Sequence, residues 1–251
     1  MTRIWSLFDP SSSGDFSCHT ADVHIWQVAL EQHDAVIAQL QTLLSADEVQ
    51  RAARFHFSAD QRRYIVGRGV LRMLLGRYLA SDPQTLRFDY NAYGKPQLAS
   101  PIDEASLQFN LSHSGAMALY AFARHCQLGI DLEQIRPDIE WAALTSQVFS
   151  RQEQQAFAAL PLEERVAAFF RGWTRKEAFI KAHGKGLSLP LDQFDITLTS
   201  AEPARLLATH YDPQDVHNWS LCSVTCPVGY AAALATSGQP RPLVYGLCDL
   251  A

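Results

Sequence analysis

The feature that most constrains the fold is a succession of helices and strands that occurs twice along the chain. The first set comprises a helix with an apolar side and the short strands after it, at Ala59–Leu79, Leu86–Tyr90, Leu107–Leu111 and Met117–Phe122. The second set begins near residue 125 with a strand, then helical segments, then further strands, at Leu128–Glu133, Trp141–Leu160, Glu163–His183, Phe194–Leu198, Trp219–Val224 and Tyr230–Ala235. Because helices and strands do not strictly alternate, the pattern predicts an α+β fold (mixed α/β content) of two similar halves rather than one doubly wound sheet.

This succession divides the chain into an N-terminal half (1–124), a C-terminal half (125–236) and a tail containing Pro and Gly (237–251). Before the first set we expect a strand at Val23–Val28 and a helix at Asp34–Leu44. A further helix begins at the capping box that Ser45 and Glu48 form. The segment Gly115–Ala121 resembles Gly229–Ala235, which favours two related halves.

Composition excludes several classes of protein. The chain has 251 residues, of which 47% are hydrophobic, so it is long enough to bury a core in each half and is too apolar to be disordered. It contains no run of 18 apolar residues, which argues against a membrane span, and its net charge of −5 argues against nucleic-acid binding. The five scattered cysteines are typical of reduced thiols, and the polar N-terminal segment predicts no secretory signal, so we expect a cytoplasmic protein.

Asp131 and Glu133 lie in the predicted strand Leu128–Glu133, separated by one residue, so they project to the same face. Closely spaced carboxylates repel each other unless a cation or a proton lies between them. A hard divalent cation such as Mg²⁺ favours these oxygens and commonly shares its shell with phosphate oxygens. The pair is therefore a candidate metal site; the alternative is an exposed strand face that carries two acids.

The predicted helix Glu163–His183 places Trp173, Glu177 and Lys181 on one stripe, because they are four residues apart. Glu177 would add a third carboxylate to the metal site, and Lys181 would meet a phosphate one turn further on. The alternative is an ordinary Glu–Lys pair on a solvated face. The surrounding sequence is strongly apolar, which favours a largely buried helix whose charged residues have a function.

Other polar segments are candidates for binding an anion. Ser112 and His113 follow Asn110 at the end of a predicted strand and are hydrogen-bond donors for phosphate oxygens. The turn Tyr93-Gly94-Lys95-Pro96 presents a lysine. The helices of the first half carry arginines that together would clamp phosphates and individually are ordinary solvated residues: Arg51, Arg54, Arg62, Arg63 and Arg68.

Taken in order, these segments resemble the Sfp-type 4′-phosphopantetheinyl transferases over roughly Ser45 to Leu191. The matching segments are Tyr93–Pro96, Asn110–Ser114, Gly129–Glu133 and Trp173–Leu187. The most specific part of the resemblance is a W-x-x-K-E-A-x-x-K helix combined with an upstream G-I-D-x-E strand.

The resemblance implies an enzyme that transfers the 4′-phosphopantetheine arm of coenzyme A to a serine of an acyl or peptidyl carrier protein, releasing adenosine 3′,5′-bisphosphate. The carrier would belong to fatty-acid, polyketide or non-ribosomal peptide synthesis. The resemblance also implies an intramolecular pseudo-dimer of two helix-plus-antiparallel-sheet halves with the site between them. Such a chain needs no second copy to form its cleft, and we expect a monomer.

By position, the resemblance implies that Asp131, Glu133 and Glu177 hold Mg²⁺. The catalytic residues would be Glu177, Lys181 and His113, with Glu177, or a water molecule that it orients, as the base for the carrier serine. Residues implied to contact coenzyme A are Arg51, Arg63, Tyr93, Gly94, Lys95, Pro96, Asn110, Ser112, His113, Lys176 and Lys181. Glu48 is a departure, since some relatives place a lysine there near the 3′-phosphate; Arg51, one turn later, would then carry more of that contact.

Two alternatives remain open from the sequence. A non-catalytic module would bind coenzyme A or a carrier protein without turnover, and a phosphodiesterase would release the bisphosphate without any carrier. Because carrier proteins are usually acidic, the docking surface should combine apolar and basic groups. Both Trp141–Phe157 and the arginine-rich first half are candidates for it.

Overall fold

The computed structural model describes residues 3–6, 16, 18, 21–99, 107–138 and 140–250. The first half contains β1 (Arg3–Ser6), β2 (Val23–Ala29), α1 (Asp34–Gln41), α2 (Ala46–Ala52), α3 (Ser58–Leu79), β3 (Phe88–Tyr90), β4 (Pro96–Leu98), β5 (Leu107–Ser114) and β6 (Met117–Arg124). The remaining elements are β7 (Leu128–Gln134), α4 (Trp141–Val148), α5 (Arg151–Ala158), α6 (Leu162–His183), β8 (Phe194–Ile196), β9 (Leu206–Thr209), β10 (Trp219–Ser223), β11 (Tyr230–Ser237) and β12 (Leu243–Asp249). The predicted mixed α+β class is confirmed.

The predicted helical region Trp141–Leu160 is two helices, α4 and α5. Phe149 leaves the helical conformation, with φ −100° and ψ 141°, and Ser150 then caps the second helix. The Ser150 hydroxyl accepts from the Glu153 backbone N–H at 3.2 Å, and the Glu153 carboxylate accepts from the Ser150 N–H at 2.8 Å. The break therefore comes from a capping box inside the apolar stretch.

The main sheet has five strands in the order β1-β12-β2-β6-β5. β12 pairs parallel to both β1 and β2, whereas β2, β6 and β5 pair antiparallel. This corrects two expectations. The first half's sheet is not wholly antiparallel, and the segment 237–251 is not merely a tail, because its residues Leu243–Asp249 fill a place inside that sheet.

A second sheet has three antiparallel strands in the order β10-β11-β7. It lies beside the first sheet where β7 approaches β5, and side chains of β5 bond to β7. Asn110 accepts from the Ile130 N–H at 2.8 Å, and the Ser114 hydroxyl accepts from the Gln134 N–H at 3.1 Å. Alternate residues of β5 therefore reach across the junction between the halves.

Helix α6 packs against β7 at very close range. A Cβ built on Gly129 would lie 2.2 Å from the Ala182 nitrogen and 2.3 Å from the Ala178 carbonyl oxygen, both in α6. Only glycine allows the strand and the helix to approach this closely. The approach brings the functional stripe of α6 next to the carboxylates of β7.

Apolar clusters fix these elements in place. One packs α1 and α3 against the five-stranded sheet, and another packs α6 against the three-stranded sheet. A third cluster draws on both sheets, with members such as Ile25, Leu119, Ile130 and Leu234. Burial of this shared cluster joins the two halves. Within the described ranges, no helix combines the length and hydropathy needed to cross a membrane.

The two halves share a buried ion pair at equivalent places. Glu48 and Glu153 each occupy the third position of a short capped helix. Each carboxylate binds the fifteenth residue of the following 22-residue helix, Arg72 in α3 and Lys176 in α6. This correspondence is compatible with the predicted pseudo-dimer, which stays a prediction.

Candidate active site

A cavity of about 770 Å³ lies at the junction of the halves. Its walls come from α2, α3, β5 and the turn before β4 on one side, and from β7 and α6 on the other. It brings together ten of the predicted site residues: Arg51, Arg63, Gly94, Pro96, Ser112, His113, Asp131, Glu133, Glu177 and Lys181. The pattern-based prediction that β5, β7 and α6 supply one site is therefore consistent with the geometry.

Three carboxylates line one wall of the cavity. Glu133 accepts a hydrogen bond from the Ser114 hydroxyl at 2.8 Å and another from the Trp173 side chain. Burial and the charges of Asp131 and Glu133 raise the pKa of Glu177 to about 7. Burial also raises the pKa of Glu133. This wall thus concentrates negative charge that is only partly compensated.

Lys181 supplies part of that compensation. Its ammonium lies 2.6 Å from Asp131 Oδ1 and donates to the Ser112 hydroxyl at 3.1 Å. The Ser112 hydroxyl donates to the same carboxylate oxygen at 2.9 Å. The other oxygen, Asp131 Oδ2, is buried and has no hydrogen-bond partner. A buried carboxylate oxygen without a hydrogen-bond partner is a candidate ligand for a cation.

The donor chemistry of this wall fits a hard divalent cation, since three carboxylates face one cavity and one buried oxygen is unpartnered. Within the part of the chain that the structure describes, no three His, Cys, Asp or Glu side chains are arranged as ligands of a single ion. Lys181 is part of the reason, because its ammonium occupies Asp131 Oδ1 in place of a metal ion. Coordination of one metal ion by Asp131, Glu133 and Glu177 together therefore stays a prediction.

His113 lines the cavity from β5, near Lys181. More than a third of its surface is exposed, yet the surrounding protein desolvates the ring enough to lower its pKa below the ordinary 6.5. The charges of Lys181 and Arg63 lower the pKa further. The imidazole is consequently neutral near pH 7 and has one donor and one acceptor nitrogen for a ligand.

The far side of the cavity is basic and aromatic. Arg51 lies over the Tyr64 ring at 5.7 Å, and the Phe55 ring is 5.3 Å from Tyr64. Tyr90 also lines this side, and its hydroxyl accepts a hydrogen bond from Arg68 at 3.2 Å. This combination of guanidinium groups and ring faces suits a ligand that carries both phosphates and a flat base.

Sequence reasoning missed several of these residues. The side of α3 that lines the cavity consists of Asp60, Arg63, Tyr64, Gly67, Arg68 and Leu71. Their spacing of three and four residues is the period of one helix face. Arg63 and Arg68 are already candidates for a phosphate clamp, and extending their period along the helix would have found Tyr64, whereas Phe55 and Tyr90 give no comparable signal.

The structure corrects the prediction for Lys176. Its side chain is 0% exposed, and its ammonium pairs with Glu153 at 2.7 Å. The same ammonium donates to the carbonyl oxygens of Leu191 at 2.6 Å and Phe194 at 2.7 Å. All three donors are used inside the second half, so Lys176 does not reach a ligand in the cavity.

Lys95 also points away from the cavity, although Gly94 and Pro96 line it. Its ammonium donates to the Leu128 carbonyl at 2.8 Å and the Lys181 carbonyl at 2.9 Å, and burial lowers its pKa to about 8. Lys95 therefore ties the first half to β7 and α6, which corrects its predicted phosphate contact.

Three further expectations are corrected. Asn110 is 5% exposed and bonds to the β7 backbone, and neither it nor the exposed Tyr93 lines the cavity. Glu48 is 2% exposed and pairs with Arg68 and Arg72. It is a structural carboxylate beneath the cavity, so its acidic character does not remove a ligand contact.

Comparison with known proteins gives two adjoining family matches. The model for the 4′-phosphopantetheinyl transferase superfamily matches residues 127–235, and the model described as 4′-phosphopantetheinyl transferase, N-terminal, matches residues 25–125. The 4′-phosphopantetheinyl transferase HetI of Nostoc sp. (strain PCC 7120) is 40% identical over 223 residues, which are 88% of this chain and 91% of the relative. The chain belongs to the 4′-phosphopantetheinyl transferase family.

The Sfp-type assignment is supported by a second member of this family. The 4′-phosphopantetheinyl transferase Sfp of Bacillus subtilis (strain 168) is 34% identical over 158 residues, covering 62% of this chain and 67% of Sfp. Among solved structures, the Chronobacterium ammoniagenes ACPS–CoA complex is 20% identical, with a TM-score of 0.35, and covers 47% of this chain and all of that one. The predicted family and the predicted transferase class are confirmed.

Proposed function

We propose that this 4′-phosphopantetheinyl transferase binds coenzyme A in the 770 Å³ cavity and transfers its phosphopantetheine arm to a serine of an apo acyl or peptidyl carrier protein. The observation that carries the proposal is the arrangement of charge across the cavity. Asp131, Glu133 and Glu177 form one wall, while Lys181 and His113 stand beside them. A pyrophosphate with a divalent cation complements such a wall.

Coenzyme A would place its nucleotide at the basic, aromatic side. Arg51 and Arg63 would bind the phosphates of the nucleotide, including the 3′-phosphate, as charge-assisted hydrogen bonds to guanidinium groups are strong. The rings of Phe55 and Tyr64 would contact the adenine. Ser112, His113 and Lys181 would then meet the pyrophosphate near the acidic wall.

The residues that would hold Mg²⁺ are Asp131, through its unpartnered Oδ2, together with Glu133 and Glu177. When bound, the ion neutralises negative charge on the pyrophosphate and on the departing bisphosphate. Lys181 and His113 add hydrogen-bond donors to the same oxygens. The repulsion among the three carboxylates favours cation binding, because each of them is more stable as an anion once a cation is near.

The transfer itself needs a proton acceptor. The carrier serine Oγ forms a bond to the β-phosphorus, while the bond from that phosphorus to the bridging oxygen breaks and its electron pair leaves with adenosine 3′,5′-bisphosphate. Glu177 would take the hydroxyl proton, either directly or through a water molecule that it orients. Without a cation, burial and the neighbouring carboxylates raise the pKa of Glu177 to about 7. A bound Mg²⁺ would lower that pKa, so that Glu177 would be an anion able to accept the proton near neutral pH.

The experiment that tests this proposal is the intact mass of an apo carrier protein after incubation with the enzyme, coenzyme A and Mg²⁺. We expect a gain of about 340 Da on the acceptor serine, no gain with EDTA, and no gain with Glu177→Gln. Glu163→Gln, in the first turn of α6, is the matched control and should retain activity.

Other outcomes would favour the alternatives. Coenzyme A binding with no mass gain on several unrelated carriers would indicate a non-catalytic binding module. Release of adenosine 3′,5′-bisphosphate without any carrier would indicate a phosphodiesterase. Either result would overturn the proposed transfer.

The same proposal includes an internal pseudo-dimer of 1–124 with 125–236 that works as a monomer in the cytoplasm. The equivalent ion pairs of α3 and α6 support the internal relation, and a cavity built by both halves of one chain supports the monomer. Light scattering on the active enzyme would test the latter: a stable dimer mass would contradict it.

A further inference from the structure

A second cavity lies on the opposite side of α6 from the candidate active site. Its volume is about 960 Å³, and its walls come from α6, the segment 200–206, β10 and residues 238–240. Arg175 lines it and stands two residues from both Trp173 and Glu177. At 3.6 residues per turn, this places Arg175 about half a turn around the helix from them. We call this second cavity the rear groove.

Arg175 is a buried cation held only by neutral groups. It is 2% exposed, and its Nη1 donates to the Thr197 carbonyl at 2.5 Å and the Thr197 hydroxyl at 3.2 Å. Its Nη2 donates to the Ser223 hydroxyl at 3.2 Å. Burial and the charge of Arg171 lower its pKa to about 10, which still leaves it positive at neutral pH.

Two more arginines line the rear groove. Arg171 donates through Nε to the Leu198 carbonyl at 3.1 Å, which leaves its two Nη groups for a ligand. Arg205 is exposed and bonds through its backbone N–H to Thr197. Among the residues that the structure describes, none of the three arginines forms an ion pair. Two acids lie near them: burial lowers the pKa of Arg171 and the charge of Glu164 partly offsets this, and Glu202 lines the rear groove.

Other buried or half-buried cations on the two long helices behave differently. Arg68 and Arg72 pair with Glu48, Lys176 pairs with Glu153, and Lys181 pairs with Asp131. A cation taken from water without a counter-ion is costly. Arg175 therefore stands out as a buried positive charge whose compensating anion is not supplied by the fold.

We propose that the rear groove binds a small phosphate-bearing anion of at least two negative charges. Arg171 and Arg205 contact its oxygens through their free guanidinium edges, and Arg175 supplies the charge beneath them. Guanidinium groups match phosphate oxygens in shape and in hydrogen bonding. The site is separate from the active-site cavity and does not depend on the function proposed for it.

The test is calorimetric titration of the whole protein with inorganic pyrophosphate, in EDTA and with coenzyme A at saturation to fill the first cavity. We expect one pyrophosphate per chain. Affinity should fall at least tenfold in the Arg171→Gln/Arg205→Gln double variant, whose substitutions lie at the edge of the groove. Arg165→Gln is the matched control on α6, because Arg165 does not line the groove and bonds to the Leu160 and Ala158 carbonyls. This variant should bind pyrophosphate as the parent does.

Several results would overturn the inference. Pyrophosphate binding that disappears when coenzyme A is present, and that without coenzyme A is as tight in the double variant as in the parent, belongs to the first cavity. Equal affinity in the double variant and the parent, with both folded by circular dichroism, excludes the arginines as ligands. Citrate binding as tightly as pyrophosphate contradicts a site for phosphate.

Discussion

Replacing Glu48 by glutamine tests whether this residue is structural. The carboxylate is 2% exposed and lies between two guanidinium groups, those of Arg68 and Arg72, which are 9% and 1% exposed. Glutamine keeps an amide oxygen for the Ser45 N–H, which Glu48 accepts at 2.9 Å, but it removes the negative charge. Two buried cations are then left without a counter-ion.

Breaking a buried ion pair by removing one partner costs about 3–5 kcal/mol of unfolding free energy. Arg72 keeps its bonds to the carbonyls of Pro83 and Leu86, at 2.7 and 3.2 Å, but these neutral acceptors do not balance its charge. We therefore expect a loss of about 4 kcal/mol. Asp34→Asn is the matched control: its partner Arg62 and Asp34 itself are 42% and 88% exposed, so removing that pair should cost less than about 1 kcal/mol.

Urea unfolding at pH 7 and at acid pH measures both the loss and its cause. Burial pushes the pKa of Glu48 up, but the Arg72 hydrogen bond and the Arg68 charge outweigh it and hold the pKa below the ordinary 4.5. The stabilisation is present above pH 4.5 and disappears as the pH falls through the depressed folded value. The parent and Glu48→Gln should accordingly converge in stability in acid. A loss below about 1 kcal/mol at pH 7, or weaker coenzyme A binding without a change in stability, would refute the structural role.

Three other substitutions test features of the junction. Because the pKa of Glu177 is raised to about 7, its charge destabilises the metal-free fold as the pH rises from 4.5 to 7. Glu177→Gln should therefore raise the melting temperature more at pH 8 than at pH 5. Equal shifts at the two pH values would contradict this reasoning. Lys95→Met removes the donor to the Leu128 and Lys181 carbonyls and should lower the unfolding free energy in urea by about 2–3 kcal/mol. Lys185 is exposed, so Lys185→Met should change the unfolding free energy little. Similar losses in the two variants would exclude Lys95 as a link between the halves. Gly129→Ala puts a Cβ 2.2 Å from the α6 backbone and should destabilise the fold by about 3 kcal/mol or more. Gly67→Ala should be tolerated, because its Cβ would meet nothing closer than 3.5 Å. Equal stability of the two variants would contradict the close packing of β7 and α6.

The parts of the site that the sequence predicts are those with a local period. Asp131 and Glu133 alternate along a strand, and Trp173, Glu177 and Lys181 repeat every four residues along a helix, so their common orientation follows from backbone geometry. The structure brings all five to one cavity. Local geometry also explains the capping box at Ser45, whose N–H bonds to Glu48 as expected.

The parts that sequence reasoning could not predict depend on partners far along the chain. Lys176 adjoins Glu177 in sequence but turns toward Glu153, and Lys95 turns toward the carbonyls of Leu128 and Lys181. Whether a lysine meets a ligand or the protein is decided by those long-range acceptors. The same holds for β12, since its pairing of Leu243 with Val23 joins residues 220 positions apart.

The place of β12 also affects the order in which the protein can assemble during translation. This strand lies between β1 and β2, which precede the rest of the first half in the chain, yet it is synthesised after the whole second half. Until then the nascent N-terminal half has a gap one strand wide in its sheet, with unpaired backbone groups along β2. The first half therefore cannot finish folding ahead of the second, and a gene split at the midpoint would give an N-terminal fragment without the strand that lies between β1 and β2. A circularly permuted gene that encodes β12 before β1 would remove this delay.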